Sequence, residues 1–319
     1  EHNWRWMMFM GVVPASLLFY GMTILPKTPK YLIYKGRYMQ ARSALAKLEE
    51  PDRIELVMEL IKNEIESEKF YQTRWRDIFH RKFLKVLLLS ISIMFVQQCT
   101  GINIFVYLSP MLLEISGFHS LNAEIACTVA IGLVNVLFTI VSINLIENYA
   151  RKPLYYFGLA GMTAMLITIS VAFFNYSELG ANLKWIVFGC SLCFVLFFSL
   201  TIGPIAWLMA IEVLPNKSRN VGMSISMMFN WIFNFLMIFT FFKISKMFAP
   251  PGNEFIIQES NKGIVDIFFN PAVNFLLYAL FGIAGILLGY YVLPETKGMS
   301  YLDIDDYWNK RLEPKKRNK

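Results

Sequence analysis

Charge is scarce in this chain. Only 17% of its 319 residues are Asp, Glu, Lys or Arg, where a soluble domain typically carries about a quarter. That shortage argues against an ordinary soluble domain. Histidine is scarcer still, at three, and His2, His80 and His119 are too scattered to suggest a metal cluster or a Ser-His-Asp set. Of the four cysteines, Cys190 and Cys193 form a C-x-x-C inside an apolar run, without a second pair or nearby histidines. Packing explains that pair better than zinc or redox chemistry, and Cys99 and Cys127 read as small buried residues. No glycine-rich phosphate loop or pair of catalytic carboxylates stands out. The chain therefore reads as no enzyme, and it offers no metal or cofactor site.

Apolar side chains are what it has in abundance, at 56% hydrophobic, 16% aromatic and a mean hydropathy of +0.46. A membrane-spanning helix needs about 20 such residues, and seven runs approach or exceed that length. They run from Trp4 to Leu25, Phe83 to Ile115, Leu121 to Ile146, Leu154 to Phe174, Leu183 to Val213, Val221 to Met247 and Ala272 to Leu293. The expected class is an all-α integral membrane protein with multiple spans. Because the chain opens on Glu1 and enters a span at once, it reads as a fragment, and no cleavable signal peptide is visible.

The net charge of +7 is spread along the borders of these runs. Lys27, Lys30, Lys35, Arg37, Arg42, Lys47 and Lys62 follow the first, Arg151 and Lys152 the third, and Lys217 and Arg219 the fifth. Lys310, Arg311, Lys315, Lys316 and Arg317 end the chain. The alternate connections, near 116–120, 175–184 and 250–270, hold few lysines and no arginine. The positive-inside rule then places residues 27–82 and the tail 294–319 in the cytosol, with a span at 1–26 and a six-helix bundle at 83–293. Charge that borders spans does not form the single basic patch a nucleic acid would require.

Residues 27–82 make the one sizeable soluble piece. Leu45 and Leu48, and then Ile54, Val57, Ile61 and Ile65, recur at helical spacing among charges, with Pro51 between the two sets. Two or three short amphipathic helices are expected, whose apolar stripes need cover.

Polar interruptions within the spans carry the functional information. Gln97, Gln98 and Asn103 sit in the middle of the second run, where an unpaired polar group costs several kcal/mol and must face protein, water or a ligand. Primary amides donate and accept without charge, which suits a neutral, hydroxyl-rich solute; an anion would call for arginine or lysine, a cation for carboxylates. In an unbroken helix Gln98 and Asn103 point well apart, so the reading requires unwinding at Gly101. Tyr107 follows one turn beyond Asn103. Asn230 and Asn234 share a face of the sixth run and Asn135 lies in the third; such amides serve either as interhelical glue or as ligand contacts.

Gly203-Pro204 interrupts the fifth run, where proline removes a backbone hydrogen bond and loosens the helix. Trp207 follows, offering either a packing surface or a flat face on which a pyranose could stack. At the expected cytosolic ends, Glu147 and Arg151 stand four apart and Glu212 and Arg219 flank Pro215. Their repetition suggests ion pairs that hold a gate shut.

Together these segments resemble the sugar porters of the major facilitator superfamily. The resemblance is carried by Gln97-Gln98-x-x-Gly101-Ile102-Asn103-x-x-x-Tyr107, Gly203-Pro204-x-x-Trp207, Glu147-x-x-x-Arg151-Lys152, Pro26 to Leu32, Gly36-Arg37 and Pro294-Glu295-Thr296-Lys297-Gly298. It implies a twelve-span carrier working by alternating access, of which this chain is the sixth span, the cytosolic helical linker and the C-terminal six-helix bundle; the partner is then the missing N-terminal half. By the same resemblance Gln97, Gln98, Asn103, Asn135, Trp207 and Asn230 line a hexose or polyol site. Tyr107 belongs to an external gate, Gly203 and Pro204 to the moving helix, and Glu147, Arg151, Glu212 and Arg219 to a cytosolic ion-pair network. Proton symport and facilitated diffusion both stay open, as does a transporter-like sugar sensor that binds without translocating. A plasma-membrane location, in contact with lipid, is expected. The chain departs from the family at Lys27 and Lys30, where Glu and Arg are usual, and at Ala150, Leu108 and Ala206.

Overall fold

A computed structural model describes residues 3–70, 81–118, 120–215, 218–248, 270–299 and 301–312, and among them every regular element is helical. Lys217, the three histidines, most of the 250–270 connection and the basic tail beyond residue 312 lie outside the described residues. The chain groups into two compact units, Glu1–Thr73 and Arg74–Lys319.

In the first unit the leading apolar run forms two helices, α1 (Asn3–Met10) and α2 (Val12–Ile24). Pro14 cannot donate to the carbonyl four residues back, which accounts for the interruption at Gly11. Among the described residues the apolar stretch Met8–Ile24 is shorter than the six spans that follow. Next come α3 (Pro29–Tyr34), α4 (Tyr38–Leu45), a 3₁₀ turn at Pro51–Arg53 and α5 (Ile54–Phe70). Helix α3 starts where Thr28 caps it, its hydroxyl accepting from the Tyr31 N–H at 3.4 Å with Pro29 at the first helical position. Leu32, Ile33, Ala41 and Ile65 pack together, flanked by Ala44, Met58 and Ile61. The stripe Leu45–Leu48 is corrected, because α4 ends at Leu45 and Leu48 points outward.

The second unit holds six apolar helical spans of crossing length among the described residues. The first is broken into α6 (Arg81–Cys99), α7 (Ile102–Tyr107) and α8 (Ser109–Ile115). Then follow α9 (Leu121–Asn148), α10 (Arg151–Phe174), the single turn α11 (Tyr176–Leu179) and α12 (Leu183–Phe197). A π-helical turn at Phe198–Ile202 leads into α13 (Gly203–Glu212), and α14 (Arg219–Met247) and α15 (Ala272–Tyr291) complete the bundle. Helix α10 is central, packed on both α15 and α12, while α6 packs on α14 and α13. Small residues set the closest approach: a Cβ built at Gly285 would lie 2.5 Å from Val96 Cγ1. Many large apolar side chains face outward, among them Leu133, Leu137, Ile140, Trp231 and Phe235. Such side chains call for cover by hydrocarbon or by further apolar helices.

The tail contains a further helix, α16 (Tyr301–Leu312). Trp308 Nε1 donates to Val213 O at 2.8 Å, and Arg311 donates to Tyr291 O at 3.1 Å and Val292 O at 3.4 Å. Those carbonyls end α13 and α15, where the helix itself supplies no donors. Spacing of Ile304, Tyr307 and Trp308 at three and four residues was the legible signal.

Candidate functional site

Four primary amides meet where α6, α7 and α14 converge. The convergence depends on Gly101, which takes φ +85° between α6 and α7. A Cβ there would stand 2.5 Å from Cδ2 of Tyr278, so glycine alone permits both the left-handed turn and the ring packed against it. In a continuous helix side chains five residues apart diverge by about 140°. With the helix broken, Asn103 Nδ2 instead donates to Gln98 Oε1 at 2.6 Å. Gln98 Nε2 donates to Asn230 Oδ1 at 2.8 Å, and Asn230 Nδ2 donates to Gln97 Oε1 at 2.8 Å and more weakly to Met94 Sδ at 3.4 Å. Exposure is 5% at Gln97, 6% at Gln98, 8% at Asn103 and 1% at Asn230, so none of the four faces lipid.

This relay is unfinished at both ends. Gln97 Nε2 and Asn103 Oδ1 make no hydrogen bond among the described residues, and neither atom is sealed from solvent. One end thus offers a donor and the other an acceptor. A hydroxyl group, which donates and accepts, complements both. Beneath the relay, Ser90 Oγ lies 2.8 Å from Ser226 Oγ and donates to Ala210 O at 2.9 Å, tying α6 to α14 and α13.

The remaining residues of the expected site are placed apart from this cluster. Asn135 on α9 accepts at Oδ1 from Ser199 Oγ at 2.8 Å. Trp207 is half-buried against the bundle core. No hydrogen bond among the described residues joins either of them to the relay. Asn234 is buried one turn beyond Asn230, and Tyr107 is 55% exposed at the end of α7. The expected loosening at Gly203-Pro204 takes the form of a π-helical turn at Phe198–Ile202 before the proline, and α13 starts at Gly203 without a gap. Widening the preceding turn accommodates a residue that cannot donate. Ser199 sits on this turn, and its hydroxyl among phenylalanines was the sequence signal for it.

A second, charged cluster occupies the end of the bundle where α10 begins. Arg151 Nη2 lies 3.5 Å from Glu212 Oε1, Thr296 Oγ1 donates to Glu212 Oε2 at 2.6 Å, and Arg151 Nη1 donates to Ile146 O. Arg219 donates to Leu214 O from Nη2 at 3.1 Å. The expected pairing of Glu147 with Arg151 is corrected. Helix α9 ends at Asn148 and both Tyr149 and Ala150 are extended, so the two side chains do not share a helical face; Glu147 is exposed. Arg151 reaches across to α13 instead.

Glu295 is the member of this cluster whose role went unread. Its carboxylate accepts from the backbone N–H groups of Arg151 at 2.9 Å, Lys152 at 3.0 Å and Lys297 at 3.1 Å, capping the N-terminus of α10. Burial alone would raise its pKa. The N–H donors of Lys152, Lys297, Arg151 and Thr296 outweigh burial and hold it below the ordinary carboxylate value.

Comparison with known proteins follows the same outline. The chain is 30% identical over 311 residues to the putative metabolite transport protein YncC of Bacillus subtilis, covering 97% of this chain and 61% of that protein. It is 28% identical over 307 residues to the major myo-inositol transporter IolT of the same organism, covering 96% and 60%. The chain thus spans about 60% of the length of the curated relatives it matches, and these relatives are transporters. Among solved structures, the major facilitator superfamily proton:xylose symporter XylE bound to 6-bromo-6-deoxy-D-glucose superposes with a TM-score of 0.74 at 23% identity, over 96% of this chain and 59% of that one. The fold is therefore that of the corresponding part of a major facilitator transporter. Residues 1–308 match the family described as sugar (and other) transporter, and the chain belongs to that family.

Proposed function

We propose that this chain forms part of a carrier that moves a neutral, hydroxyl-rich solute, a hexose or a polyol, across a membrane by alternating access. The observation that carries this reading is the amide relay from Gln97 through Asn230 and Gln98 to Asn103, uncharged, buried and open at a donor and an acceptor. A sugar hydroxyl that enters exchanges one neutral partner for another, so no ion has to be stripped of water. Asn135 and Trp207 flank the path, with Trp207 presenting a flat apolar face to the C–H side of a ring.

The charged cluster is the gate in this reading. Arg151, Glu212 and Thr296 join the ends of α10, α13 and the segment after α15, and separating those elements breaks the pair. Helices α9 and α14 are the least covered of the six spans, at 11% and 28% buried, yet they carry Asn135 and Asn230. Faces that combine exposure with inward amides fit a cavity whose opposite wall is a further set of helices, as in a two-half carrier.

Counterflow of labelled glucose, fructose and myo-inositol through the full-length carrier in vesicles tests the proposal. Exchange of at least one is expected, and Gln98→Ala should lower apparent affinity by about tenfold, since a partner is left unpaired at roughly 1–3 kcal/mol. Unaltered affinity in that variant would overturn the site. Binding without exchange would identify a sensor.

A further inference from the structure

The first unit carries a groove that no part of this transport reading uses. It encloses about 380 Å³ and is walled by Lys27, Leu32, Met39, Gln40, Ser43 and Lys47, among others. Helix α2 ends at Ile24 and the groove begins at Pro26, immediately past that apolar helix. Its two lysines are 20 residues apart in sequence. They meet because α3 and α4 fold back on each other through Gly36 at φ +73°, a turn closed by the Arg37 N–H donating to Leu32 O at 2.8 Å.

Charge in this hairpin is of one sign. From Pro26 to Leu48 the sequence holds Lys27, Lys30, Lys35, Arg37, Arg42 and Lys47 and no carboxylate. Arg42 is neutralised by Glu55 of α5 at 3.0 Å. Neither Lys27 nor Lys47 has a carboxylate partner among the described residues; Lys27 Nζ rests 5.8 Å from the Tyr31 ring centroid. Two unneutralised ammonium groups therefore line one concavity beside neutral donors. The Gln40 amide is one, and the Ser43 hydroxyl, now donating to Met39 O at 3.1 Å, is the other. Leu32 and Met39 make the rest of the wall apolar.

We propose that this groove seats a phosphate-bearing anion, presented by an anionic phospholipid headgroup or by a soluble phosphate ester. Phosphate oxygens accept from ammonium, amide and hydroxyl donors together, and several cationic side chains immediately past a membrane span are the usual means of holding anionic headgroups. The apolar wall suits the glycerol end of a lipid. The proposal does not depend on the solute the carrier moves, because its readout is binding of the anion.

The test uses the purified full chain in neutral detergent, with bound dioctanoyl phosphatidylinositol phosphate, dioctanoyl phosphatidylcholine and glucose 6-phosphate measured by native mass spectrometry. Lys27→Gln with Lys47→Gln should weaken anion binding by about tenfold or more, and Lys35→Gln with Arg37→Gln, an equal loss of charge outside the groove, by less than about twofold. Thermal melting midpoints of both variants should match the parent, which shows that both are folded. Retention of the lipid but not glucose 6-phosphate assigns the headgroup as the source, and the reverse assigns the soluble ester. Equal weakening by the two variants, equal binding of phosphatidylcholine, or no anion binding at all would overturn the site.

Discussion

The two polar clusters of the helical bundle solve one problem with different chemistry. In mid-span, four amides pair with one another at 2.6 to 2.8 Å and carry no charge. Where α10 begins, Arg151, Glu212 and Glu295 carry full charges and reach hydroxyl and backbone partners on several elements. Neutral amides can trade partners deep in the bundle at little desolvation cost. Ions cannot, since removing their water costs several kcal/mol each. The ions accordingly sit at a helix end, where the side chains of Arg151 and Glu212 keep 14% and 26% of their surface exposed. Water reaches both side chains there. The proposed function puts recognition on the neutral cluster and latching on the charged one.

Five substitutions break or sharpen that contrast, beginning with the largest expected effect. Gly101→Ala places a methyl group 2.5 Å from the Tyr278 ring at a left-handed φ; overpacking and backbone strain together should cost about 2–4 kcal/mol. Thermal melting in detergent would register this, and an unchanged midpoint would mean that the break does not depend on glycine. Asn230→Ala removes the hub that joins Gln97 to Gln98, costing about 2 kcal/mol. Its signature is that sugar binding falls further than stability. If melting falls while binding persists, the amides are interhelical glue.

In the charged cluster the effects should be smaller. Arg151→Gln is expected to cost about 1 kcal/mol, because the pair is long and partly wet, and Glu147→Gln almost nothing. The informative measurement is labelling of a cysteine placed in the pathway: faster modification in the Arg151 variant, and none in the Glu147 variant, separates the cross-helix pair from the sequence-adjacent one. Equal labelling would restore the pairing that spacing suggested.

Glu295→Gln tests the helix cap through pH. The folded-state pKa of Glu295 lies below its ordinary 4.5, so its contribution to stability is fully present above that value. It is lost as pH falls below 4.5 through the lowered folded-state value. Melting midpoints of the parent and the variant should therefore differ above pH 5 and converge on acidification. A constant difference across that range would assign the stabilisation to something other than the carboxylate.

Much of the candidate site was legible residue by residue. Gln97, Gln98, Asn103 and Asn230 stand out as amides in apolar runs, because a hydrocarbon environment tolerates them only with partners. Gly101 was legible as the place where the helix must break. The pairing between clusters was not. Arg151 and Glu212 are 61 residues apart, and nothing local distinguishes that pair from Glu147 with Arg151, whose spacing looks right until the chain extends at Tyr149 and Ala150. Glu295 was hidden for a related reason: its partners are backbone N–H groups at the start of α10, which every sequence possesses.

Length and apolarity alone determined that this chain crosses a membrane repeatedly, since a run of about 20 apolar residues has no better solvent. Its motif order pointed to the family, and amide chemistry to the class of solute. Tertiary structure decided which polar groups touch, because hydrogen bonds act over about 3 Å and that proximity is created by helix packing rather than by sequence separation. It also decided that the tail folds back as α16, where Trp308 finds a carbonyl that α13 leaves unpaired.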